Sequence, residues 1–169
     1  MIQVKPKSQA RLAAIRLVAF DVDGVFTDGR FYLSDSGVES KAFCTLDGFG
    51  IRAIIRAGIQ VAVISGRKSR AVEIRMQELG ISNVALGCAD KLREFDRICD
   101  SLGLDRSECA YVGDDIPDLP LLQQVGFSVA VANSVAEVRQ ACDYTTTAPG
   151  GYGAVREVCD MILDAAVER

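Results

Sequence analysis

Apolar positions along this chain follow two rhythms. Short, mainly apolar runs fall at residues 17–20, 60–64, 84–86, 110–112 and 128–131. Their length and β-branched content predict buried strands. Between them, apolar residues recur three or four apart, the helical spacing. The first such segment, 48–57, stacks Ile51, Ile54 and Ile55 on one face and stops at Gly58. The next, 69–79, ends at Gly80, and 90–102 starts on a possible Asp90 cap and ends at Gly103. Left-handed glycines are natural helix stops. A short helix follows at 119–125, and another at 135–141, with Ser134 and Glu137 at capping-box spacing before it. A last helix runs from about 154 to 167. Strand and helix alternate, which predicts an α/β fold: a parallel sheet with helices on both faces.

One segment breaks the alternation. Residues 30–43 place Asp35-Ser36-Gly37 between two β-prone arms, which predicts a hairpin inserted after the first strand. It carries Phe31, Tyr32 and Phe43 with little chain nearby to cover them. An isolated hairpin is marginal. It therefore either folds back on its own sheet or packs on another subunit. No repeat, low-complexity tract or linker interrupts the 169 residues, so a single domain over 1–169 is expected.

Composition narrows the function classes. Apolar residues make up 49%, charged residues 25%, and the net charge is −4, ordinary for a soluble globular protein. No basic block or basic-aromatic interleaving suggests a nucleic-acid surface. No apolar run reaches membrane-spanning length. Lys5, Lys7 and Arg11 precede an apolar stretch that Arg16 interrupts and Asp21 ends. This reads as a lead-in to the first strand, not a signal peptide, and a cytoplasmic location is the expectation. The six cysteines contain no C-x-x-C pair, which favours reduced, half-buried thiols. There is no histidine, so acid–base work falls mainly to carboxylates, Lys, Tyr or Cys.

Four polar clusters fall where strands should end. The first strand runs into Asp21-Val22-Asp23-Gly24, two carboxylates one residue apart. Desolvating either is expensive, so a cation is the simplest compensation. Ser65-Gly66-Arg67-Lys68 follows the second strand, Lys91 opens the helix after the third, and Gly113-Asp114-Asp115-Ile116-Pro117-Asp118 follows the fourth. Singly, each has a bland reading: a turn, a helix cap, a solvated lysine. Together they fall on one edge of a parallel sheet, the edge that binds ligands. Asp21 and Asp114 can share a hard cation such as Mg²⁺. Ser65, Lys91 and backbone N–H groups near Gly24 and Gly66 can hold phosphoryl oxygens. An aspartate attacking phosphorus would form an aspartyl-phosphate, and Asp23 is near enough to move the proton.

These motifs, in this order, resemble the haloacid-dehalogenase-like phosphohydrolase superfamily. The resemblance implies Asp21 as nucleophile and Asp23 as general acid/base, with Ser65 and Lys91 on the phosphoryl group. It implies metal ligation by Asp114, the Asp21 carboxylate and the Asp23 carbonyl, supported by Asp115 and Asp118. More narrowly, Asp21–Gly29, Asp47-Gly48-Phe49-Gly50-Ile51, Ser65-Gly66-Arg67-Lys68 and Gly150-Gly151-Tyr152-Gly153 resemble the capless 3-deoxy-D-manno-octulosonate 8-phosphate (KDO 8-phosphate) phosphatases. That likeness implies an Mg²⁺-dependent Rossmann-like domain without a cap, a homotetramer whose hairpin covers a neighbouring active site, and Arg67 on the carboxylate of a sugar-acid phosphate. Leu46 and Tyr152 stand where such enzymes commonly carry a cation, which leaves related nine-carbon sugar-acid phosphates open as substrates. A phosphoreceiver-like module is a rival of another class. Its acidic pair follows strand one and its acceptor strand three, whereas here the extra acidic pair follows a later strand, and the Asp-x-Asp spacing supplies a residue for turnover. Carbon–halogen hydrolysis on the same fold would need neither the metal nor Asp23.

Overall fold

The parallel pairing expected from the apolar runs is present in a computed structural model that describes residues 6–167, with side chains placed over 10–166. Helix α1 (Pro6–Ala13) leads into β1 (Leu17–Phe20), followed by the small strands β2 (Tyr32–Leu33) and β3 (Glu39–Ser40). Then come α2 (Thr45–Arg56), β4 (Gln60–Ser65), α3 (Arg70–Leu79), β5 (Asn83–Leu86) and α4 (Lys91–Leu102). The chain continues through β6 (Cys109–Gly113), α5 (Leu119–Leu122), β7 (Phe127–Ala130), α6 (Ala136–Ala141), β8 (Tyr144–Thr145) and α7 (Ala154–Val167). The main sheet has the order β5-β4-β1-β6-β7-β8, and every neighbouring pair is parallel. The chain winds from β1 outward to β5, then returns across the sheet to β6. That reversal puts a ligand crevice at the carboxyl ends beside β1.

The period of two along each strand divides the core between the two faces. Val18, Phe20, Val61, Val63, Ala110, Val112 and Val129 face one layer, built by α1, α2, α3 and α7. Leu17, Ala19, Ala62, Ile64, Cys109 and Tyr111 face the other, built by α4, α5 and α6. β1 is buried on both faces, as an inner parallel strand must be.

Local chemistry explains the element ends. Asp90 accepts the Arg93 N–H at 3.0 Å and caps α4. Gly80 and Gly103 close α3 and α4 in the left-handed conformation. The capping box expected at Ser134 and Glu137 does not form: Ser134 donates to the Val131 carbonyl at 2.5 Å, and Val135 occupies the cap position. The lead-in to the first strand contains helix α1, which no periodicity marks, and α2 starts at Thr45, ahead of the expected residue 48. Leu12 and Ile15 join the core, and Arg11 binds Asp143 in two bonds of 2.7 and 2.9 Å. Lys5 lies outside the described residues, as does the side chain of Lys7. Strand β8 was hidden because Tyr144 and Thr145 carry no apolar run; β7 extends the sheet onto them through Val129 and Ala130.

The inserted hairpin pairs Tyr32 with Ser40 and Leu33 with Glu39 as a separate antiparallel ribbon that does not join the main sheet. Its turn is closed by Ser34 N–H to the Val38 carbonyl at 3.0 Å. Tyr32, Leu33 and Val38 are exposed, whereas Phe43 packs against the core. All six cysteines are free thiols, three of them buried. No helix among the described residues is long and apolar enough to cross a membrane.

Helices α2 and α7 pack closely because Gly50 has no side chain: a Cβ there would meet Cys159 and Arg156 at 3.0 Å. Asp47, in the first turn of α2, accepts the Arg156 N–H at 2.9 Å and so caps the start of α7 from another helix. Its second oxygen has no hydrogen-bond partner among the described residues, and burial raises its pKa. Asp47→Ala is expected to cost about 1 kcal/mol of stability through loss of this cap. Urea unfolding measures this, and an unchanged midpoint would show that the contact contributes nothing.

Candidate active site

The charged cleft is assembled from strand ends. β1 and β6 are adjacent, with Phe20 opposite Val112, and the Asp21 N–H continues the ladder onto the Val112 carbonyl at 2.9 Å. Asp21 and Asp114 therefore leave neighbouring strands within a residue of the same height. Ser65 ends β4 on the other side of β1, and Lys91 opens α4. Asp21, Asp23, Ser65, Gly66, Arg67, Lys91, Asp114, Asp115 and Asp118 line one cleft together with Pro117. A larger groove beside β5 has only Lys68 and Glu73 as charged lining residues, so it lacks this convergent acid set.

Asp118 organises the floor of the cleft. One oxygen accepts Lys91 Nζ at 2.7 Å and the Tyr111 hydroxyl at 2.7 Å. The other accepts the N–H groups of Asp114 at 3.0 Å and Asp115 at 3.3 Å. Four donors saturate this buried carboxylate. Lys91 also reaches Asp21 at 3.0 Å and so bridges the two acids. Asp115 accepts the Ile116 N–H at 2.8 Å and shapes the turn.

Carboxylate oxygens of Asp21, Asp114 and Asp118 lie within 4.8 Å of one another. Burial, reinforced by the charge of Asp118, pushes Asp21 up to about 6 even though Lys91 opposes the shift. Burial and the charges of Asp21 and Asp118 push Asp114 up to about 8. Burial works against the Lys91 ammonium, but Asp21 and Asp118 outweigh it and raise its pKa. One ammonium among three clustered carboxylates leaves excess negative charge. Oxygen-only donors with that charge fit a hard divalent cation. Because Asp118 is saturated, Asp21 and Asp114 are the members with bonding capacity left for it.

Asp23 faces the other way. Its carboxylate forms an ion pair with Lys41 of the hairpin and lies 3.7 Å from Arg67 Nε. Gly24 is the one expected site residue outside the cleft lining. It adopts φ +89°, and a side chain there would overlap the Asp114 carboxylate. Its N–H is directed to Thr27 Oγ1 at 3.4 Å, within the loop. Asn133, after β7, donates to the Gly24 carbonyl at 3.3 Å and accepts the Gly150 N–H at 2.6 Å. The Gly150–Gly153 run is thus fastened to the first acidic loop. Ser65 Oγ accepts the Arg67 N–H at 3.3 Å. The Arg67 guanidinium donates to Glu39 at 2.6 Å and stacks 4.2 Å from the Phe31 ring centroid.

Sequence reasoning passed over Lys41, Glu39, Tyr111 and Asn133. Asn133 follows a strand at the same edge as the other clusters, so that rule could have found it. Glu39 and Lys41 alternate on one hairpin arm, a two-residue spacing that puts both on one face. Tyr111 sits inside an apolar strand and carries no polar signal in the sequence.

A haloacid dehalogenase-like hydrolase family profile matches residues 87–155. A 3-deoxy-D-manno-octulosonate 8-phosphate phosphatase from Salmonella typhimurium is 44% identical over 160 residues, covering 95% of this chain and 85% of the relative. The crystal structure of the Yersinia pestis phosphatase of that name superposes with a TM-score of 0.95 at 43% identity, over 96% of this chain and 88% of that one. The Moraxella catarrhalis phosphatase, in complex with magnesium, phosphate and KDO, gives a TM-score of 0.95 at 42% identity, over 97% and 94% of the two chains. With the acidic cluster at the carboxyl edge of β1 and β6, these likenesses place the chain: it belongs to the haloacid dehalogenase-like hydrolases, in the family of the 3-deoxy-D-manno-octulosonate 8-phosphate phosphatases.

Proposed function

We propose that this phosphoric monoester hydrolase is a single Mg²⁺-dependent domain of the cytoplasm that converts KDO 8-phosphate to KDO and inorganic phosphate. The observation that carries the reading is the meeting of Asp21, Asp114, Ser65 and Lys91 in one cleft. The relatives named for that substrate, and the Moraxella catarrhalis complex with magnesium, phosphate and KDO, support substrate and metal.

In this reading, an Asp21 oxygen attacks phosphorus and the bond from phosphorus to the sugar oxygen breaks. The electron pair goes to that oxygen, which takes a proton from Asp23. Water then attacks the aspartyl-phosphate and gives a proton to the Asp23 carboxylate. The bond from phosphorus to Asp21 breaks, phosphate leaves, and both acids return to their starting state. Ser65, the Gly66 N–H and Lys91 hold the non-reacting oxygens. Asp21, Asp114 and the Asp23 carbonyl would hold a magnesium ion, which when bound draws charge from the phosphoryl oxygens and screens the two carboxylates. Arg67 offers the substrate carboxylate the guanidinium donors that Glu39 leaves free. Leu46 and Tyr152 lie outside the cleft lining, and the roles of the other residues do not call on them. The exposed hairpin residues Tyr32, Leu33 and Val38 support a homotetramer in which the hairpin meets a neighbouring active site.

Asp21→Asn is expected to lower kcat by about 10³-fold or more with the fold unchanged; near-native phosphate release would end the mechanism. One phosphoryl group retained per chain, with no turnover, would instead favour a phosphoreceiver. Mg²⁺ should raise the Tm of the wild type and restore activity after chelation, while Asp114→Asn loses the Tm shift and Asp115→Asn keeps it. An equal shift in all three proteins would place the metal elsewhere. Light scattering should give a tetramer, and a clean monomer would remove the shared site.

A further inference from the structure

Four charged side chains form a closed ring of alternating sign at the cleft. Lys41 pairs with Asp23, and Asp23 lies 3.7 Å from Arg67. Arg67 donates to Glu39 at 2.6 Å, and Glu39 lies 3.9 Å from the Lys41 ammonium. Two corners come from the loops after β1 and β4, and two from the hairpin of the same chain. Glu39 also accepts the Ser69 hydroxyl at 2.6 Å, which fixes its own place. Phe31 covers the ring, with its centroid 4.2 Å from the Arg67 guanidinium and 5.9 Å from the Lys41 ammonium.

Lys41 is the unusual member. Its side chain is 0% exposed. A buried ammonium has no water to carry its charge, so the surrounding carboxylates determine where it sits. Exposed ion pairs contribute little because both partners move and are screened; here one partner is enclosed. Its contact with Asp23 takes one carboxylate oxygen and restricts the rotamer of that acid.

We propose that Lys41 is a positioning residue for Asp23, carried into the site by the hairpin. The role rests on the reading of Asp23 as the acid that protonates the departing oxygen. With Oδ1 held by Lys41, Oδ2, which lies 3.7 Å from Arg67 Nε and so beyond hydrogen-bond distance, is the atom that can carry the proton for that oxygen. The hairpin then does more than cover a cleft: docking it completes the acid.

The test compares kcat/KM for two substrates of the full-length protein, KDO 8-phosphate and p-nitrophenyl phosphate. The sugar alkoxide needs a proton to leave and p-nitrophenolate does not, and kcat/KM includes only steps through that departure. Lys41→Met should lose about tenfold or more in kcat/KM on the sugar phosphate beyond its loss on the aryl phosphate. Lys41→Arg should recover most of that difference. Asp23→Asn should show the same preference, an independent check on the reading of Asp23. Equal losses on both substrates in Lys41→Met would make Lys41 merely structural and overturn the proposal. So would unchanged kinetics in Lys41→Met beside a clear preference in Asp23→Asn. No preference in Asp23→Asn would remove the acid role itself, and the proposal with it. If thermal melting shows Lys41→Met unfolded, Lys41→Gln serves for the same comparison.

Discussion

Two carboxylates that repel are forced together by strand register. β1 and β6 are parallel neighbours, and Asp21 and Asp114 leave them at nearly the same height. Hydrophobic burial of both strands on both faces fixes that register, so the fold bears the repulsion. The rest of the site can be read as its compensation. Asp118 is held by four donors, Lys91 bridges it to Asp21, and the remaining charge suits a cation. A carboxylate whose charge is offset by a lysine and a cation can approach an anion that two free carboxylates would repel.

The two acids of the first loop differ in direction. Asp21 turns toward β6 and the acidic cluster, while Asp23 turns toward the hairpin and the loop after β4. Residues two apart after a strand end can do this because the chain has left the sheet, and Gly24 lets the loop turn back under Asp114. One short segment thus serves two electrostatic environments, one rich in carboxylates and one balanced by Lys41 and Arg67.

The sheet and the acidic edge were legible in the sequence because they rest on strong local signals. Apolar runs at 17–20, 60–64 and 110–112 end abruptly in polar clusters, and parallel topology brings those ends together. Signals failed where tertiary context decided. The Arg11–Asp143 pair anchors α1, in a segment that reads from sequence only as a lead-in to the first strand. Strand β8 exists because β7 offers it an edge. The Ser134 hydroxyl had two possible acceptors, and the Val131 carbonyl took it instead of a helix end. The Lys41–Asp23 pair needed knowledge of which way a hairpin folds, and no periodicity in the chain supplies that.

The close approach of Gly24 and Gly150 has a consequence for how such a chain can change. A side chain on Gly150 would collide with the Gly24 carbonyl, and one on Gly24 with Asp114. Asn133 holds both loops through its two amide atoms. The three positions form one unit whose members have no independent substitutions to explore. Drift in the closing glycine loop is thereby confined to its outward side, where Tyr152 stands 65% exposed. Variation between relatives should collect there while the inner side stays fixed.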